Sequence, residues 1–281
     1  MPGPSIFVGT AGWTVPRAVA PQFPAEGSGL VRYAHRFLAT ELNSTFWRRH
    51  QAATFARWRD SVPRDFRFAV KLPRTITHVA GLRRARSLLA QFFDDVAGLG
   101  DSLGPVLVQL PPSLEFEMRS ARAFFRLLRV MHAGHVACEP RHVSWFKPSA
   151  EALLVDHGVA RVAADPPRTL AGDRPGGFPS LIYFRLHGSP VMYRSSYSPG
   201  VLAALAARLR VAAGHGSVWC IFDNTAGGAA ADDAIALTHL LAPSPDAMPS
   251  DEMSGTSETS ETSETSDDGR KTGLYQRRAG S

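Results

Sequence analysis

The sequence predicts an α/β protein folded as a single (β/α)8 TIM barrel over residues 1–242, with a disordered, low-complexity tail over 243–281. Three observations predict it. Eight short, apolar, β-prone runs occur in about 240 residues; helix-like stretches separate most of them, at a period of roughly 30 residues; and each run ends in polar or special residues. A doubly wound open sheet is the competing architecture, and no second folded domain is indicated.

In chain order, "IFVG" at 6 is the first strand, followed by the helical stretch "LVRYAHRFLA" at 30. "ATELN" at 39 and "RFAVK" at 67 are the second and third, with "AATFARWRDS" at 52 as the helix between them. "RARSLLAQFFDDVAGL" at 84 leads to "PVLVQL" at 105, and "RSARAFFRLLRVMH" at 119 leads to "HVACE" at 135. "SAEALLVDHG" at 149 precedes the sixth strand, "ARVAAD" at 160; the seventh is "LIYFRLH" at 181. "PGVLAALAARLRVAAG" at 199, "SVWCIFDN" at 217 and "ADDAIALTHLL" at 231 complete the series. Short runs rich in β-branched and aromatic residues suit strands, and longer stretches with apolar residues every three or four positions suit helices. After Pro243 the chain repeats Thr-Ser-Glu and holds too few apolar residues to fold.

The 281 residues are 44% hydrophobic and 20% charged, ordinary for a soluble globular protein and enough for a large core. No run of about 18 uncharged apolar residues occurs, and "MPGPSIFVGTAGW" lacks the basic start and apolar stretch of a signal peptide. A cytoplasmic protein without a membrane partner is expected. Cys138 and Cys220 sit inside apolar runs, which suits buried reduced thiols better than a disulfide or a zinc site. The 8 acidic and 4 basic side chains of residues 243–281 leave 27 Lys and Arg against 17 Asp and Glu before them, a net charge near +10. That balance favours anionic ligands or nucleic acid.

The strand ends carry Gly9-Thr10-Ala11-Gly12-Trp13, Glu41 and Asn43, Lys71, Gln109, Glu139 and Arg141, Asp165, Arg185 and His187, and Asp223 with Asn224. In a parallel barrel all eight carboxyl ends open on one face, where active sites sit. Alternation along a strand puts Glu41 with Asn43, Glu139 with Arg141, and Arg185 with His187 on common faces. "CEPRH" at 138 then reads as the fifth strand emptying into a cleft, and Trp13 and Trp145 as core residues or a wall for a ligand to stack on.

These residues carry a resemblance. "GTAGW" at 9, "ELNSTFW" at 41, "FAVKLPR" at 68, "ITH" at 76, "GPVLVQLPPS" at 104, "EPRHVSW" at 139, "AD" at 164, "YFRLHG" at 183, "YRSSY" at 193 and "FDNTAGGAA" at 222 occur in order, and together they resemble the DUF72, or YecE-like, family. The resemblance implies one TIM barrel and no defined activity. Carried over position by position, it marks Gly9, Trp13, Glu41, Asn43, Lys71, Gln109, Pro111, Glu139, Arg141, Asp165, Arg185, His187, Gly188 and Asn224. Ala11, Trp47 and Asp223 depart from the family's usual Ser, Tyr and Asn.

No GxSxG elbow, phosphate loop, HExxH or paired CxxC occurs, so the chemistry rests on side-chain types. Three carboxylates (Glu41, Glu139, Asp165) face cations at Lys71, Arg141, Arg185 and His187, a mixture that shifts pKa values and supplies proton donors and acceptors. The reading is an enzyme of the hydrolase, lyase or isomerase kind acting on a small phosphorylated or carboxylated substrate. In it, Arg141 and Arg185 clamp the anion, Glu139 is the base, Lys71 or His187 the acid, and Asn43 and Gln109 orient. The segment "NTAGGAA" at 224 reads as added backbone amides for the anion or as a tight strand-to-helix turn, and loop 188–200, with Tyr193, has the length and composition of a lid, against the favoured reading of an ordinary surface loop. No cofactor is required, though Glu41, Glu139, Asp165 and His187 would suit a divalent metal. The alternative is a nucleic-acid binding or metal-dependent phosphodiester-processing protein, tracking phosphates with Arg48-Arg49-His50 and Arg83-Arg84-Arg86 beside Phe46, Trp47 and Tyr193. Variants Glu139→Gln, Arg141→Ala and Arg185→Ala are expected to fold.

Overall fold

Ten strand segments form one sheet that curls back on itself, in a computed structural model that describes residues 6–242. The tail expected over 243–281 lies outside the described residues. The strands are β1 Ile6–Ala11, β2 Ala39–Leu42, β3 Arg67–Lys71, β4 Leu103–Gln109, β5 Val136–Glu139, β6 Val159–Arg161, β7 Ala163–Asp165, β8 Gly176–Gly177, β9 Leu181–Leu186 and β10 Ser217–Phe222. All eight runs read from the sequence are strands. β10, β1, β2, β3, β4, β5 and β6 pair in that order, each parallel to the next, and β9 lies parallel to β10.

Closure runs through the sixth run, "ARVAAD", which the structure divides at Val162. Its first half pairs with β5, Ala137 opposite Ala160; its second half pairs with β9, Ala164 opposite Arg185. The division has a local cause. Beside the first half, β8 runs antiparallel, so β9 is reached only from Ala163 onward. Gly177 permits this: its φ is +68°, and a Cβ there would lie 2.3 Å from the Val159 carbonyl oxygen. β8 and its loop stand where the sixth helix of a regular barrel would be.

The helices are α1 Gly29–Ala34, α2 Ser44–Trp47, α3 Ala52–Asp60, α4 Arg86–Val96, α5 Met118–Met131, α6 Pro148–Asp156, α7 Pro199–Ala213 and α8 Ala229–Leu241. Their starts follow capping chemistry: Glu117 accepts from the Arg119 and Ser120 amides at 2.9 and 2.8 Å, and Ser198 accepts from Val201 ahead of Pro199. α1 is shorter than its apolar pattern, because the Arg36 and Phe37 amides both return to the Tyr33 carbonyl and the chain turns into β2.

Strand alternation sorts the core. Outward residues such as Val8, Val70, Val108, Cys138, Phe184 and Cys220 pack under the helices, both cysteines free and buried. Inward residues are small on four strands, at Ala39, Ala69, Ala137 and Ala160, and large on the others, at Phe7, Leu107, Tyr183 and Trp219. Trp219 stacks between Phe7 (4.8 Å) and Tyr183 (6.0 Å), and Gly104 leaves room for its six-membered ring. Each such pair contributes about 1 kcal/mol beyond area burial. This stack fills the barrel below the site.

Candidate functional site

One step of alternation above the apolar interior, inward positions become polar. Above Ala39, Ala69, Leu107, Ala137, Tyr183 and Ile221 come Glu41, Lys71, Gln109, Glu139, Arg185 and Asp223. The same rule separates two expected site residues from the rest. Asp165 and Asn224 have outward parity: Asp165 Oδ2 accepts from the Tyr197 hydroxyl at 2.7 Å, and Asn224 Nδ2 donates to Asp233 Oδ2 at 2.6 Å and to the Ser195 carbonyl at 2.9 Å. They secure the outer wall, and the catalytic expectation for Asp165 and the binding expectation for Asn224 are revised accordingly.

Arg185 is fully buried at the centre of the inward set. Its Nε and Nη2 donate to Glu41 Oε2 and Oε1 at 3.0 and 2.6 Å, Nη1 donates to Glu139 Oε2 at 2.6 Å, and Nη2 also donates to Asp223 Oδ2 at 2.9 Å. Nη1 further lies 3.0 Å from His187 Nε2. All its donors are used within the protein, so Arg185 organises carboxylates and has no N–H left to clamp a ligand, contrary to the sequence expectation. The Tyr183 hydroxyl completes the Glu41 environment at 2.9 Å. Burial would raise the Glu139 carboxyl, but Arg185 and Arg141 outweigh it and hold the group well below the usual carboxylate range.

His187 is neutral. Its Nδ1 faces the Asp165 carbonyl at 3.3 Å, an acceptor only, so Nδ1 carries the proton and Nε2 accepts from Arg185 and from Arg141 Nη2 at 3.2 Å. Burial, opposed by Glu139 and joined by Arg185, lowers its pKa to about 3. It therefore has no proton on Nε2 to give at neutral pH, which removes it as the acid.

Two other groups titrate near neutrality. Burial first, then the Arg185 charge, lowers Lys71 to about 8; its Nζ lies 4.2 Å over the Phe46 ring and makes no hydrogen bond or ion pair among the described residues. Burial raises Asp223 to about 6, against the pull of Arg185. Each feels the other's charge. The sequence reading named Asp223 only as a strand-end residue and Phe46 only beside the basic clusters of the alternative, and it did not single out Tyr183. The alternation Trp219, Ile221, Asp223 contains the signal for Asp223.

The rim is looser. Arg141 donates Nε and Nη2 to Glu139 Oε1 at 3.2 and 3.0 Å and points Nη1 at the Tyr193 hydroxyl, 3.5 Å away. Tyr193 stands edge-on to His187 at 5.7 Å, with a φ of +67° that non-glycine residues seldom adopt. Its loop is tied down by Tyr197, whose hydroxyl accepts from the Gly188 amide at 2.8 Å while donating to Asp165. A narrow cleft beside Arg141 is lined also by Phe146, Arg168 and Met192. Gln109 donates to the Leu110 carbonyl, and Asn43 has a buried Oδ1 with no partner among the described residues. Trp13 packs edge-on to Trp58 and joins the core, and Trp145 is buried with its Nε1 donating to the Leu114 carbonyl. The amides of Ala226 and Gly228 are used by the Tyr193 and Thr225 carbonyls, so neither is left for an anion.

A family model described as "Protein of unknown function DUF72" matches residues 7–257. The chain belongs to the DUF72 family. Among its relatives are the UPF0759 protein YecE of Escherichia coli K12 and that of strain O157:H7, each 28% identical over 155 residues, or 55% of either chain. The chain thus spans about half the length of the curated relatives it matches. Crystal structures of DUF72 proteins from Enterococcus faecalis (TM-score 0.70, 20% identity, 84% of this chain and 95% of that one) and Thermotoga maritima (TM-score 0.69, 24% identity, 84% and 98%) share the fold.

In this DUF72 barrel the donor set does not suit a metal. Glu41 and Glu139 already accept from guanidinium N–H groups, His187 Nε2 faces two of them, and Asp165 lies outside the cluster. Among the described residues no group of three or more His, Cys, Asp or Glu is arranged to hold a metal ion. No described helix is long and apolar enough to cross a membrane. Of the expected phosphate-tracking arginines, Arg49 is paired with Asp95 at 2.5 Å, while Arg48, Arg83, Arg84 and Arg86 are exposed.

Proposed function

We propose that this DUF72 protein is an enzyme that moves a proton on a small carboxylated or phosphorylated substrate bound in the barrel mouth, a reaction of the lyase or isomerase kind. The observation that carries the reading is the pair Lys71 and Asp223, whose pKa values of about 8 and about 6 bracket neutrality. At pH 7 Asp223 is mostly a carboxylate able to accept a proton, and Lys71 mostly an ammonium able to give one or to face developing negative charge. Glu139, the base expected from the sequence, has too little proton affinity beside two guanidiniums. It holds Arg141 and Arg185 in place.

Charge balance favours an anionic group once the proton has moved. Glu41, Glu139 and Asp223 oppose Arg141, Arg185 and Lys71, three against three, so the mouth is neutral while Asp223 is a carboxylate and becomes positive when Asp223 takes up a proton. Arg141 supplies the directional contact, Tyr193 covers it, and Asn43 and Gln109 orient the polar end. The test is a thermal-shift screen of the full chain against phosphorylated metabolites and sugar acids at pH 6 to 9, repeated on Lys71→Met and Arg141→Ala. A ligand at 100 times its Kd stabilises by about 2.7 kcal/mol. Hits that vanish in both variants support the reading; hits that persist unchanged in both sink it.

A further inference from the structure

We infer that a second hollow, behind Phe46 and outside the barrel mouth, is a binding site for a planar aromatic group carrying a negative charge. It is a space of about 230 Å³ between α2, the segment after β3, and α4. Its walls are apolar, with Phe55, Leu88, Phe92 and Val96 beneath Trp47. Thr45 holds α2 there, its hydroxyl reaching the Leu42 and Lys71 carbonyls at 2.8 and 2.7 Å.

Trp47 is the decisive residue. Its side chain is 73% exposed, although indole normally finds an apolar neighbour. The ring does not lack support: it stands edge-on to Phe46 at 4.8 Å and 89°, with the Arg74 guanidinium 5.8 Å from its centroid. A fixed, exposed aromatic face beside a guanidinium is the arrangement that stacks a planar ring and meets its charge.

The charges of the hollow fit an anion. Three arginines, Arg48, Arg49 and Arg74, face one carboxylate, Asp95, which Arg49 already engages through Nε and Nη2 at 2.5 and 2.8 Å. The side chains of Arg48 and Arg74 make no hydrogen bond or ion pair among the described residues, and burial together with the Arg48 charge lowers the His50 pKa. Apolar walls with a few convergent cations describe a small-ligand site. The site stands apart from the mouth: Phe46 shows one ring to both, with Lys71 on the mouth side.

The experiment is calorimetric titration of the full chain with adenosine 5′-monophosphate, phenyl phosphate and benzoate, with adenosine and inorganic phosphate as half-ligand controls. At least one planar anion is expected to bind one to one, more tightly than its ring or its anion alone. Its affinity should fall tenfold or more in Trp47→Ala and in Arg74→Ala, recover in Trp47→Phe, and stay unchanged in Arg141→Ala, a change at the rim of the mouth. The last variant separates this site from the mouth, whose reading fails on different evidence. No planar anion binding at millimolar concentration, affinities indifferent to Trp47 and Arg74, or binding confined to oligonucleotides with a steep salt dependence would overturn the inference. Trp47→Ala removes an exposed ring, so an unchanged melting temperature is the control for folding.

Discussion

Arg185 and Glu41 meet through two hydrogen bonds, Nε to Oε2 at 3.0 Å and Nη2 to Oε1 at 2.6 Å, where neither side chain is reached by water. A buried pair of this kind adds little net stability when intact, but removing one partner leaves an uncompensated charge, at a cost of about 3–5 kcal/mol. Arg185→Ala strands Glu41 and Glu139 together, so it should destabilise by that amount instead of leaving the fold intact. Urea unfolding measures this. A midpoint equal to that of the parent protein would show that Arg185 does not organise the mouth. Arg141→Ala, at the rim, should unfold near the parent midpoint.

The proton-transfer pair predicts a bell-shaped pH profile of ligand response or turnover, with limbs near 6 and 8. Asp223→Asn should remove the acid limb, and Lys71→Met should abolish the response across the whole pH range. A profile with both limbs intact in both variants would assign the titration to other groups.

Stability should move against function at Lys71. Its folded pKa of about 8 lies below the model-peptide value of 10.5, so the penalty for burying the ammonium is fully present below pH 8 and gone above about 10.5. Lys71→Met should therefore stabilise the protein at pH 7 by about 3 kcal/mol. The gain should shrink as the pH rises from 8 toward 10.5. A constant gain would trace it to side-chain packing and not to charge.

The loop over the mouth is expected to depend on Tyr197. Tyr197→Phe deletes the hydroxyl shared by Asp165 and Gly188, with a loss of about 1–2 kcal/mol. Amide exchange at Tyr193 and Ser195 should rise more than exchange in α7. Equal protection in variant and parent would mean that other contacts hold the loop.

The barrel was legible in the sequence because each strand run is short and apolar and most are separated from the next by a helical stretch. The absence of a helix between the sixth and seventh runs was legible too, since no helical stretch was read there. The division at Val162 was hidden: it depends on Gly177 approaching the Val159 carbonyl, a contact between distant positions that no local pattern reports. At the site, residue types at the strand ends were legible, but their direction was read too loosely. Arg185 and His187 were correctly given one face, whereas Asp165 and Asn224 belong to the other and Asp223 belongs with Lys71. Counting alternation back to Ala163 and Ile221 would have separated them. That Arg185 meets Glu41 from strands 144 residues apart was beyond the reach of strand parity, which gives a side chain's face and not its partner.

The Phe7–Trp219–Tyr183 stack floors the mouth. Under the proposed function, substrate and product therefore share one side of the barrel, past Tyr193 and Arg141. Arrival and departure compete for the same passage, so high product concentrations should slow the traffic in both directions.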